Sequence, residues 1–107
     1  MTLGQKQRLF SRLIAHLIDH IYTMGYEVSF GEAWRPHEGT YPPGSKPRCH
    51  SIRLAVDLNL FHDGRYLSST EAHTPFGEYW ESLDPDCRWG GRFNDGNHYS
   101  ITHRGMA

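Results

Sequence analysis

Residues 52–61, Ile52-Arg53-Leu54-Ala55-Val56-Asp57-Leu58-Asn59-Leu60-Phe61, carry the strongest pattern in the chain. Leu54, Val56, Leu58 and Leu60 recur at every second position, which places them on one face of an extended strand. Arg53, Ala55, Asp57 and Asn59 fall on the other. The predicted strand therefore has one apolar side that needs a cover and one side that carries polar groups. Just beyond it, His62-Asp63-Gly64-Arg65 reads as a hairpin turn, because an Asp-Gly pair supplies the positive φ angles of a two-residue connection. Tyr66-Leu67 begin the return strand.

The cover is found on both sides of this strand in the sequence. Over residues 4–24, Leu9, Leu13, Leu17 and Ile21 recur every fourth position with Phe10, Ile14 and Ile18 beside them. They form one wide apolar stripe of an amphipathic helix, and Gly25 is its stop signal. A second helix is expected to open at Thr74-Pro75, cap followed by first helical position. Phe76, Tyr79, Trp80 and Leu83 are its apolar face, and Pro85 lies past its end. Glu27–Trp34 alternates like a strand, with Gly31 as a candidate bulge. Residues 35–48 hold four prolines and two glycines and read as a long loop, a kind that is often functional. Residues 86–97 read as a Gly- and Asn-rich loop, and His98–Thr102 as a final strand. No repeat, linker or low-complexity tract interrupts the chain. The expectation is an α+β fold: an N-terminal helix, a small antiparallel sheet and a second helix, in a single domain over residues 1–107.

Composition narrows the function classes. The 107 residues carry a net charge of −1, so no bulk basic field draws nucleic acid or an anionic membrane, although Lys46, Arg48 and Arg53 lie close together. Without that field, Trp34, Trp80 and Trp89 read as core or pocket wall rather than as a platform for bases. No apolar run approaches the roughly 18–20 residues of a membrane span. The amphipathic N-terminus lacks the apolar h-region and cleavage site of a secretory signal, so synthesis in the cytoplasm is expected. Two cysteines, Cys49 and Cys87, make no disulfide framework and are read as free thiols.

Eight histidines are many for this length. His16 and His20, four apart on the first helix, have no third ligand between them and fit a solvated face. His37, His62, His73 and His103 are expected at the surface, with His73 or His37 as candidates to flank a cleft. His50 and His98 differ, because each has a carboxylate nearby. His50 stands at the loop-to-strand junction seven residues before Asp57, an acid set against β-propensity inside the strand. Asp57 is either a solvent-facing carboxylate or a buried charge that needs a partner such as a metal ion. Asp95-x-x-His98, preceded by Trp89-Gly90-Gly91-Arg92-Phe93, is either a turn followed by an ordinary strand histidine or a ligand with an acid three residues before it. Taken together, the segments supply three zinc-type ligands, His50, Asp57 and His98, with Asp95 spare to take a proton from an activated water. Gly90-Gly91 is too short for a phosphate loop and points instead to a close backbone approach near the metal. Cys49 abuts the first ligand, but no His–Asn arrangement accompanies it for a cysteine protease.

This set resembles the D-Ala-D-Ala carboxypeptidase and L-alanyl-D-glutamate endopeptidase family of zinc peptidases, which includes small phage endolysins. The family pattern S-x-H-x-x-G-x-A-x-D meets His50, Ala55 and Asp57 here. Its later W-G-G-x-W/F and D-x-x-H tracts meet Trp89, Gly90, Gly91, Phe93, Asp95 and His98. Glu32-Ala33-Trp34-Arg35 looks like the upstream arginine segment, and the likeness runs over roughly residues 9–101. The resemblance implies Zn²⁺ held by His50, Asp57 and His98, with Asp95 as general base and acid. It implies Arg35 on the substrate carbonyl or carboxylate and on the oxyanion. It further implies a hedgehog/D-Ala-D-Ala peptidase-like fold with its zinc cleft on the sheet. The substrate would be a peptidoglycan stem peptide, and the setting a monomeric endolysin of a phage or prophage that reaches the wall after release. Three positions depart from the pattern: Arg48 for Ser, Arg53 for Gly, and Ser100 for the usual Glu or Gln. Two alternatives stand beside this reading. One is a D-Ala-D-Ala carboxypeptidase or dipeptidase. The other is a non-catalytic, zinc-stabilised phage structural or binding domain.

Overall fold

The computed structural model describes residues 1–34 and 49–107. Helix α1 spans Leu3–Thr23 and opens with a capping box: Thr2 accepts from the Gln5 N–H while the Gln5 side chain accepts from the Thr2 N–H. Strand β1 (Glu27–Phe30) follows, then β2 (Ala55–His62) and β3 (Arg65–Leu67). Helix α2 covers Thr70–Leu83. Strand β4 (Cys87–Trp89), a 3-10 turn (Gly90–Phe93) and strand β5 (His98–Ile101) complete the order. The fold is α+β, two helices and an antiparallel sheet ordered β1-β2-β5-β4, with β3 also paired to β2.

The two-faced strand organises everything else. Leu54, Val56, Leu58 and Leu60 are buried, and they pack with Tyr99 and Ile101 against the stripe Phe10, Leu13, Leu17 and Ile21 and against Phe76 and Trp80 of α2. Trp80 sits at the junction. Its ring meets Phe10 and Tyr99 edge-on at 5.8 and 6.2 Å. Its indole N–H donates to the carbonyls of Arg88 and Ser100, both at 3.0 Å, so its one polar group is satisfied where β4 meets β5. Gly77 lets α2 lie directly on the Trp89 ring, since a Cβ there would come within 2.0 Å of it.

Several boundaries differ from the expectation. Strand β2 begins at Ala55 because residues 49–53 form a turn: the Leu54 N–H donates to Cys49 O and Arg53 adopts φ 59°. Strand β1 ends at Phe30, where Gly31 and Glu32 both oppose Asp57; Gly31 N–H donates to Asp57 O and Asp57 N–H to Glu32 O. This two-against-one count is a bulge, at the glycine expected to make it. Helix α2 starts a turn earlier than Thr74, because Ser69 accepts from the Ala72 N–H and supplies the cap. Pro75 therefore lies within the helix. The segment 86–97 is not all loop. Cys87-Arg88-Trp89 alternates buried, exposed, buried and pairs with β5. His73 is buried rather than superficial, with Nδ1 2.8 Å from the Tyr99 hydroxyl. His20 is stacked 3.8 Å from Tyr79 rather than solvated, whereas His16 is exposed. Both cysteines are buried and free. Among the described residues, no helix is long and apolar enough to cross a membrane.

Candidate metal centre

Sheet register brings two of the ligand candidates together. Asp57 of β2 lies opposite His98 of β5, and opposed residues on neighbouring strands point to the same face. That face is the one away from the helices. His50 arrives from the 49–53 turn, whose hydrogen bonds fix it above the same spot. Position 53, a glycine in the related pattern, has φ 59° here, the left-handed region where glycine is free and arginine is not. The departure at Arg53 thus costs some backbone strain yet keeps the turn that aims His50.

The ligand atoms converge. His50 Nε2 is 3.2 Å from Asp57 Oδ1 and 3.2 Å from His98 Nδ1, and the third edge, His98 Nδ1 to Asp57 Oδ1, is 3.5 Å. Both imidazoles are buried and the carboxylate is mostly so. Burial pushes the Asp57 carboxyl up, but the His50 and His98 imidazoles beside it outweigh that and hold it at about 2. A shared proton can serve one edge of this triangle; a cation at its centre serves all three, because each atom has a lone pair to give. Asp57 Oδ1 is buried without a hydrogen-bond partner among the described residues, and so are the ring nitrogens outside the triangle, His50 Nδ1 and His98 Nε2. The donor set fits a metal ion: His50, Asp57 and His98 can hold one.

Asp95 stands just outside the triangle. Its Oδ2 is 3.9 Å from His98 Nδ1, and its side chain is half exposed. The turn that carries it is tightly built. Asp95 N–H donates to Gly90 O, His98 N–H donates to Asp95 O, Asn94 takes φ 62°, and the Trp89 indole N–H donates to Gly96 O at 2.7 Å. At Gly90 a Cβ would lie 2.1 Å from Asp95 O and 2.6 Å from His98 Cβ, so the close approach expected of this glycine is present beside the ligand itself. Around these groups lies a cleft of about 210 Å³, lined by Cys49, His50, Asp57, Phe93, Asp95, His98 and Ala107.

Phe93 and Ala107 were not expected in that cleft. Phe93 is about half exposed, with its ring edge-on to His98 at 5.8 Å. Its place in the W-G-G-x-F tract was the available signal. Ala107 is brought there by a tight turn at Arg104-Gly105, closed by paired hydrogen bonds between His103 and Met106, and no local pattern announces it. Cys49 is no nucleophile: burial pushes its thiol up to about 11, with Lys6 offsetting part of the rise, so it stays protonated at neutral pH. Arg35, Arg48, His37 and the loop expected over 35–48 lie outside the described residues. A larger hollow of about 730 Å³ near Leu3, Lys6, Ile52 and Met106 has no carboxylate in its lining. No family model matches the chain, and no curated protein sequence matches it.

Proposed function

We propose that this protein is a zinc-dependent peptidase that hydrolyses an amide bond in peptidoglycan stem peptides, in the manner of an L-alanyl-D-glutamate endopeptidase of a phage or prophage. The observation that carries the reading is the triangle of His50, Asp57 and His98 with an unshared acid, Asp95, at its open side. Edges of 3.2, 3.2 and 3.5 Å bring the three donor atoms close enough for one ion to take all of them, and two imidazole nitrogens among the donors favour zinc over magnesium or calcium, which take oxygen ligands.

Zinc bound there would supply Lewis acidity for the scissile carbonyl and would lower the pKa of a water toward about 7. The residues of the chain do the rest. His50, Asp57 and His98 would hold the ion, with Asp95 and Phe93 lining the cleft beside them. Asp95, on a rigid turn and in contact with solvent, accepts the proton of the attacking water and delivers it to the leaving amine. Arg35 is assigned to the substrate carbonyl or carboxylate on the strength of the sequence resemblance alone. A purely structural zinc site closes its coordination with protein ligands; three ligands and a spare acid among the described residues argue against that alternative.

The test is digestion of purified peptidoglycan with mass spectrometry of the released fragments, using native, chelator-treated and zinc-restored protein and Asp95→Ala. Native protein is expected to expose new amino termini within the stem peptide, to lose this with chelator and to regain it with zinc. Asp95→Ala is expected to keep its zinc and lose activity by about 10²-fold or more. Fragments unaffected by chelator end the metalloenzyme reading. Release of terminal D-Ala alone replaces the endopeptidase by a carboxypeptidase. A loaded protein that cuts nothing points to a binding domain.

A further inference from the structure

Four buried side-chain atoms lack a hydrogen-bond partner among the described residues: His50 Nδ1, Asp57 Oδ1, His98 Nε2 and the hydroxyl of Ser100. The first three belong to the ligand residues, and of them only Asp57 Oδ1 is a corner of the triangle. Ser100 is no ligand, yet it is fully buried and shares the face of β5 that carries His98. Its partners across the sheet are Ala55 of β2 and Arg88 of β4, whose exposed guanidinium turns to the carbonyls of Pro85 and Cys87, so on the His50 side two small side chains lie next to each other.

The course of His50 crosses this place. Cys49 is tied to the far end of β5: its thiol donates to Ile101 O at 3.5 Å, and Leu54, whose N–H donates to Cys49 O, in turn accepts from the Ile101 N–H. The other end of His50, Nε2, reaches His98. A side chain that leaves the chain next to Cys49 and ends at His98 runs along the face of β5 on which Ser100 stands. If Nε2 gives its lone pair to a cation, the ring proton must sit on Nδ1, where it needs an acceptor.

We propose that Ser100 is a positioning residue for the metal ligand His50, its hydroxyl accepting the Nδ1 proton through one water enclosed between the ring and the Ala55–Ser100 pair. Such a water gives both unpartnered groups a hydrogen bond. It holds His50 in the tautomer that presents Nε2 to the ion, as outer partners of ligating histidines do. This inference rests on the metal reading above.

The experiment titrates Co²⁺ into metal-free wild-type protein, Ser100→Ala and Ser100→Thr, following the visible absorption of the bound ion, and records imidazole ¹⁵N spectra of the Zn²⁺-loaded wild type. Expected are affinity loss of about 10-fold or more for Ser100→Ala, near-native affinity for Ser100→Thr, and a His50 Nδ1–H signal protected from solvent exchange. Equal affinity of Ser100→Ala and wild type, or no protected Nδ1–H in the wild type, overturns this inference and leaves the metal site standing. Wild-type protein that binds neither Co²⁺ nor Zn²⁺ overturns both. The NMR measurement needs no variant, so the result does not depend on Ser100→Ala folding.

Discussion

His73 should make this protein acid-sensitive through a site that has no part in the chemistry. Its ring is buried between α2 and β5, with Nδ1 2.8 Å from the Tyr99 hydroxyl, and burial lowers its pKa from 6.5 to about 4. In the unfolded chain the same imidazole takes a proton near pH 6.5. Between the two values the unfolded state therefore binds more protons, so stability falls as pH falls. The contribution is complete above about pH 6.5 and gone below about pH 4. At about 1.4 kcal/mol per pH unit the loss totals about 3 kcal/mol. His73→Gln cannot titrate, yet it keeps a polar group for Tyr99. Urea unfolding of the metal-free wild type and variant at pH 7, 6, 5 and 4 gives the comparison. The two stability curves should converge by about 2–3 kcal/mol from neutral to acid pH, whatever constant offset the substitution adds. Parallel curves would refute the argument, since every other histidine is common to both proteins.

Three further outcomes follow from particular contacts. Zn²⁺ at a hundred times its dissociation constant should raise stability by about 2.7 kcal/mol, and Asp57→Asn, which removes the carboxylate, should abolish most of that gain in a thermal-shift titration. Gly77→Ala should destabilise despite alanine's helix preference of about 1 kcal/mol. The new Cβ would fall 2.0 Å from the buried Trp89 ring, and overpacking of this kind costs about 1–3 kcal/mol or more, read as a lower urea midpoint. Arg53→Gly relieves a left-handed residue at the loss of the guanidinium that sits 5.1 Å from the Trp34 ring. It should change stability little, whereas Arg53→Val, a β-branched side chain at φ 59°, should cost about 1–2 kcal/mol; equal effects of the two would show that this backbone angle is not strained.

Local pattern was enough wherever one element could announce itself. The leucines of α1 and the alternation of β2 each repeat several times, and the Asp63-Gly64 turn is fixed by the φ angles of 52° and 75° that it needs. Where the signal was short, neighbours decided. Cys87-Arg88-Trp89 has only three residues to show its alternation, and it becomes a strand because β5 lies beside it. The start of α2 was displaced by Pro75, a strong helix-opening signal that was outweighed by the Ser69 cap and by burial of His73 and Phe76 on the helix face. His73 itself has the composition of a surface residue, and only the packing of Tyr99 against it says otherwise.

The centre was legible as a set of residue types and illegible as a place, and the difference is energetic. Sequence offers His50, Asp57 and His98 as ligands of the right kind, but their meeting requires β5 to pair with β2 in the one register that sets Asp57 against His98. A one-residue slip would turn His98 into the core and Tyr99 out of it. The apolar faces enforce the register; the buried polar groups of these residues oppose folding. Four buried orphan atoms at about 1–3 kcal/mol each amount to about 4–12 kcal/mol, against about 5–16 kcal/mol of total stability for a chain of this length. The core thus holds the ligands close together at a cost comparable to its own margin; a cation taken by His50 Nε2, Asp57 Oδ1 and His98 Nδ1 would satisfy only Asp57 Oδ1 of the four atoms, and the other nitrogen of each ring would still need an acceptor. A metal that binds only the folded arrangement of these residues would couple its affinity to stability, so a weakened core should bind it less tightly.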